Sequence, residues 1–159
     1  MSEPHSLNVA VLIERQHRPS AWEDWRFRLL DVMEDDGRFG TSPQVLRDDG
    51  RTRQTVYPGH RVTLHRDESE GYYLNLSSGQ PVWFVMWRTA DADPAQAEPV
   101  TVTLSYNEAG RLLDAQERVD NVPLPAEVRE WLEAYTAAHY RPEPKRRARP
   151  ASFRRPDQR

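Results

Sequence analysis

The sequence predicts a mainly β domain of the α+β class. The expected architecture is an antiparallel sheet or small, partly open barrel of about six strands, followed by a short helix and a C-terminal amphipathic helix. Three observations carry this expectation. Runs rich in β-branched and aromatic residues alternate in polarity between Leu7 and Leu104. Gly, Pro, Asp and Ser turn signals separate them at intervals of about 8–12 residues, the spacing of an antiparallel meander. Helical periodicity becomes clear only after Ser105. A chain of 159 residues fits one domain with tails. The domain is placed at 7–140, between an N-terminus (1–6) and a basic tail (141–159) that are both expected to be disordered.

The first strand is expected over Leu7–Arg15, with Val9, Val11 and Ile13 on one face and Ala10 and Leu12 on the other. Apolar residues on both faces predict a covered strand. The next segment, from Ala21 to Val32, admits two readings. As a strand, Trp25, Phe27 and Leu29 share a face opposite Asp24, Arg26 and Arg28, and a β-bulge near Leu29 absorbs the phase change to Leu30 and Val32. As a helix, Trp22, Trp25, Leu29, Val32 and Met33 make a stripe behind a Ser20–Glu23 capping box. Phe27 then faces the wrong side, so the strand is favoured. Asp35-Asp36-Gly37 ends this element in a turn.

Residues 37–59, with Pro43 and Pro58, are expected to be a long flexible loop with one short edge strand around Gln54–Tyr57. His60–Arg66 follows as a strand with Val62 and Leu64 inward. Asp67–Gly71 is read as a turn and Tyr72–Leu76 as a strand facing in through Tyr72, Leu74 and Leu76. After a turn at Ser77–Pro81, Val82–Trp87 is apolar on both faces and is expected to be the central strand. Residues 89–99 are read as a flexible acidic loop, and Val100–Leu104 as the last clear strand. Ser105 and Glu108 predict a cap for a helix running to about Glu117. Pro125 starts a second helix whose buried stripe is Val128, Trp131, Leu132, Tyr135 and Ala138.

Composition excludes several classes of function. The chain has no cysteine, which rules out disulfides, thiolate metal sites and thiol catalysis within it. No apolar run approaches the ~18 residues needed to span a bilayer. The N-terminal residues Met-Ser-Glu-Pro-His-Ser do not form a secretory signal, so a cytoplasmic location is expected. The net charge of -3 conceals an asymmetry. From Arg141 on there are eight bases and two acids, which leaves 14 bases against 23 acids before it. Such a basic arm can bind an anionic partner or fold back on its own acidic domain.

No catalytic, cofactor-binding or metal-binding residues emerge. The five histidines have no metal-ligand spacing; His60 and His65 fall on opposite faces of their strand. Asp67, Glu68 and Glu70 could hold a metal or a general acid, but a crowded solvated turn accounts for them. Asp35-Asp36-Gly37 and Asp48-Asp49-Gly50 lack the further acids of a calcium loop. Phosphate loops and serine-nucleophile elbows are missing. Two candidate surfaces remain. Trp22 and Trp25 beside Arg26 and Arg28 have the composition of a partner-binding hot spot, although aromatic residues at these positions equally suit a core. In the tail, Lys145, Arg146, Arg147, Arg149, Arg154 and Arg155 could contact phosphates of a nucleic acid, with only Phe153 available for stacking.

Several runs of the sequence together carry a resemblance. They are Val9–Arg15, Trp22–Phe27, His65–Leu76, Val82–Val85, and Val122–Val128 with Trp131. Over roughly Leu7–Arg141 the chain resembles a bacterial family catalogued only as a domain of unknown function, whose members are typically encoded within gene clusters for molybdenum-dependent formate dehydrogenase. The resemblance implies a non-catalytic accessory protein that assembles, matures or regulates that enzyme by binding a formate dehydrogenase subunit or maturation factor, with no cofactor of its own. The alternative is a small β-barrel that binds nucleic acid through its arginine-rich tail.

Overall fold

The computed structural model describes residues 5–18 and 25–142. Within them the order of elements is β1 (Ser6–His17), β2 (Trp25–Glu34), β3 (Gln44–Asp48), β4 (Thr52–Thr63), a 3-10 turn (Arg66–Glu68), α1 (Ser69–Ser77), β5 (Val82–Ala90), β6 (Asp93–Thr103), α2 (Tyr106–Asp114), β7 (Arg118–Pro123) and α3 (Ala126–His139). The protein is mostly β. Its strands form two antiparallel sheets rather than a barrel, a four-stranded one in the order β2-β1-β4-β3 and a three-stranded one in the order β6-β5-β7.

The strand reading of the tryptophan segment holds from Trp25 onward. The β1–β2 register passes from Leu12↔Asp31 to Ile13↔Leu29, leaving Leu30 as the extra residue of a bulge. This keeps Leu29 and Val32 both in the core. A second irregularity lies in β4, between the pairs Val9↔His60 and Val11↔Tyr57. Gly59 sits there at φ +88°, a conformation that glycine adopts without steric cost.

One core joins both sheets and the helices. Val9, Val11 and Ile13 of β1 meet Trp83 and Val85 of β5, and α3 contributes Val128, Leu132 and Tyr135. Val82–Trp87 is the central strand of its sheet, as its two-sided apolar pattern predicts. Ser105 caps α2 by accepting the Glu108 N–H at 3.0 Å. On α3 the expected stripe is right for Val128, Leu132 and Tyr135, but Ala138 is exposed and Thr136 is buried instead. The Thr136 hydroxyl donates to the Leu132 carbonyl at 2.7 Å, which satisfies it within the helix.

Four expectations are corrected. Residues 37–59 are not a long loop: β3 and the start of β4 form a hairpin, whose turn is held by Asp48 and Asp49 accepting the backbone N–H groups of Gly50, Arg51 and Thr52. β3 is exposed throughout, so it carries no inward-outward alternation to read. Residues 89–99 are largely strand, because Asp91 and Ala92 make a two-residue turn into β6. Pro94 and Pro99 are tolerated there because β6 is an edge strand. β7 follows the strand expected to be last. Only its Val122 is buried, and its pairing with β5 forms it despite a polar pattern.

The fourth correction is α1, expected as a strand. Helical turns of Ser69–Ser77 bury Tyr72 and Asn75, three apart, and leave Tyr73 and Leu74 facing out. The β-propensity of Tyr72, Tyr73 and Leu74 yields to the tertiary fit of Tyr72 and Asn75. Burial pushes the Tyr72 phenol up to about 12, and its oxygen accepts the His65 N–H at 2.9 Å. The unfolded chain ionises this group near pH 10. Its contribution to stability is therefore intact below pH 10 and is lost as pH rises from about 10 to 12. Urea unfolding between about pH 9 and 11 is expected to show wild type losing up to ~1.4 kcal/mol more per pH unit above pH 10 than Tyr72→Phe. Equal slopes for the two proteins would contradict this assignment.

Candidate functional site

The inward face of β1 runs Val9, Val11, Ile13 and then turns polar at Arg15 and His17. Cross-strand pairing sets His17 opposite Trp25 and Arg15 opposite Phe27. β5 carries Trp83, Val85 and Trp87 in alternation, with Trp87 near the end of the core. Phe27 and Trp87 meet across the two sheets at 5.5 Å between ring centroids. At this end of the molecule the sheets part. They leave a groove of about 450 Å³ lined by Trp25, Arg26, Phe27, Trp87, Thr89, Pro94 and Arg118.

Arginines and rings are combined throughout the site. The Arg15 guanidinium lies 4.3 Å from the Trp25 ring centroid and donates to the Ala95 carbonyl of β6 at 2.8 Å, so it ties one sheet to the other. His17 contacts the same indole at 4.4 Å. Arg118 lies 5.1 Å from the Trp87 ring centroid. The Trp87 Nε1–H donates to Asp120 at 2.7 Å, which orients the indole. Each cation–π contact is worth about 0.5–1 kcal/mol at a partly exposed position. Burial first, and Arg53 second, lower the Arg15 pKa; a guanidinium remains charged at neutral pH.

The four residues expected to form one patch do not stay together. Trp25 is half-buried at the lip of the groove, and Arg26 borders it. Arg28 shares with Arg26 the face of β2 opposite Trp25 and Phe27, and lies 3.6 Å from the buried carboxylate of Glu14. Glu14 also accepts the side-chain amides of Gln16 and Gln54, both at 3.0 Å. Trp22 lies outside the described residues, as do Lys145, Arg146, Arg147, Arg149, Arg154 and Arg155 of the basic tail. Arg15, Phe27, Trp87 and Arg118 were not singled out from the sequence. The legible signal was an arginine continuing an apolar face of β1; Arg118 gave none, because β7 itself was missed.

Two acids of the Asp67–Glu70 segment, Glu68 and Glu70, have structural partners. Glu68 accepts the Ser105 hydroxyl at 2.6 Å and Arg111 at 2.7 Å, and Glu70 accepts the Asn107 amide at 3.0 Å. They fasten α1 to α2. Burial lowers the pKa of His60. Among the described residues no group of three or more histidines and carboxylates is arranged to hold a metal ion, and no helix is long and apolar enough to cross a membrane.

Residues 8–149 match the model of a family described as "Protein of unknown function (DUF3305)". No curated protein and no solved structure matches the chain.

Proposed function

We propose that this chain, which belongs to the DUF3305 family of proteins of unknown function, is a non-catalytic accessory protein that acts by binding a protein partner. The observation that carries this reading is the groove where Trp25, Phe27 and Trp87 meet Arg15 and Arg118. Tryptophan and arginine in a partly desolvated depression are the residue types on which binding energy concentrates at protein interfaces. The resemblance to proteins encoded with molybdenum-dependent formate dehydrogenases supplies the setting. In this reading the partner is a subunit of that enzyme or one of its maturation factors.

Affinity purification from the native host, followed by mass spectrometry, tests the proposal. The tagged full chain, a form ending at residue 140 and the Trp25→Ala form are compared. The expected result is capture of formate dehydrogenase subunits or maturation proteins by the first two, with recovery reduced at least tenfold for Trp25→Ala. Recovery of nucleic acid alone, lost when residues 141–159 are removed, would overturn the proposal in favour of a nucleic-acid-binding protein.

A further inference from the structure

The groove has two features that a generic sticky surface lacks. Three consecutive residues of β2, Trp25 to Phe27, line it, so the backbone edge of the strand faces it as well as one row of side chains. Among the described residues β2 is an edge strand, paired with β1 alone. Across the groove, β7 begins at Arg118 opposite Trp87. β5 continues beyond that point to Ala90 with β6 on one side only. Among the described residues, two stretches of strand backbone therefore border the groove with no strand paired on that side, the arrangement that accepts an added strand.

The second feature is charge. None of the lining residues is acidic, whereas Arg26 and Arg118 line the groove and Arg15 stands against Trp25. Asp120 accepts the Trp87 indole N–H, and Asp93 accepts the Ala95 N–H of its own turn. This cationic depression lies on a body with 23 acids and 14 bases before Arg141. The aromatic faces are occupied by the chain's own groups, Arg15 and His17 against Trp25 and Arg118 and Phe27 against Trp87. Stacked nucleotide bases would need those faces; a peptide backbone with acidic side chains does not.

We infer that the groove receives an extended acidic segment of the partner protein as an added strand, its main chain paired to the edge of β2 and its carboxylates held by Arg15 and Arg118. This rests on the protein-binding reading and specifies its partner.

The test is fluorescence anisotropy with the full chain and labelled probes. The first probe is a pool of twelve-residue peptides with Asp or Glu at alternate positions and uncharged residues between. The others are its Lys/Arg counterpart, the acidic pool with alternate N-methyl amides, and a twelve-nucleotide oligothymidylate. The acidic pool is expected to bind at least tenfold tighter than the basic pool. Alternate N-methylation is expected to weaken it at least tenfold, as are Trp25→Ala and Arg118→Glu. Because the basic tail is present in every protein compared, it does not account for the losses in Trp25→Ala and Arg118→Glu. Equal binding of the two peptide pools, acidic binding unchanged in Arg118→Glu, or binding that survives N-methylation would each overturn the inference. So would oligothymidylate binding as tightly as the acidic pool and losing it in Arg118→Glu, which would make the groove a nucleic-acid site. Capture of the native partner by Arg118→Glu at the wild-type level would leave protein binding standing and move it off this groove. Peptide binding without any captured partner would overturn the accessory role and keep the groove.

Discussion

Gly71→Ala is expected to destabilise the protein by about 3 kcal/mol, at the upper end of overpacking substitutions, and to lower its thermal midpoint by roughly 6–12 °C. A methyl group at Gly71 would lie 2.0 Å from the Ser105 hydroxyl oxygen and 3.0 Å from its Cβ. Ser105 cannot give way cheaply. It is fully buried, caps α2 through the Glu108 N–H and donates to Glu68. The added methyl must therefore push α1 off α2 or break the cap, and either costs more than the helix propensity gained from alanine. Gly110→Ala is the matched control, since a Cβ there meets nothing within 4 Å. It sits within α2 and is expected to be neutral or slightly stabilising. Scanning calorimetry of the two variants checks both statements; a Gly71→Ala midpoint within 2 °C of wild type would contradict the close contact.

Asn75→Leu is expected to cost about 3–4 kcal/mol, since each buried backbone group left without a partner costs about 1–3 kcal/mol. Asn75 is 2% exposed. Its Nδ2 donates to the carbonyls of Val82 and Leu104, each at 2.9 Å, and its Oδ1 accepts the Val82 N–H at 3.0 Å. One side chain thus satisfies the first residue of β5 and the carbonyl just past the end of β6. Leucine matches its size but offers neither donor nor acceptor, so three backbone groups lose their partner at once. The urea midpoint should fall with little change in slope, and the Val82 amide should exchange its hydrogen faster. A loss under about 1 kcal/mol would mean that water replaces the amide, which its burial argues against.

Both residues were missed in the sequence for one reason. Tyr72–Leu76 alternates well enough to read as a strand, and its neighbours Tyr73 and Leu74 have the β-propensity to support it. What makes it a helix is that Asn75 fits the open ends of two strands and Gly71 fits against Ser105. Leu104 and Ser105 lie 29 and 34 positions from Asn75 and Gly71, so a local window does not contain them. The same limit hid β3 and β7, whose residues are mostly exposed and whose stability as strands comes from pairing with β4 and β5.

Local pattern was sufficient where a strand or helix buries one continuous row of its own side chains. β1, β2 with its bulge beside Leu29, the two-sided apolar β5, the Ser105 cap and the Val128, Leu132 and Tyr135 face of α3 were all legible in that way, because hydrophobic burial imprints its period on the sequence. So was the mainly β class. The site was legible only in part. Trp25 and Arg26 stood out by residue type, but alternation alone already set Arg26 and Arg28 on the face opposite Trp25. The joining of Arg15, Phe27, Trp87 and Arg118 into one groove was decided by the packing of two sheets, where contacts between residues far apart in the chain, such as Phe27 with Trp87, leave no period to read.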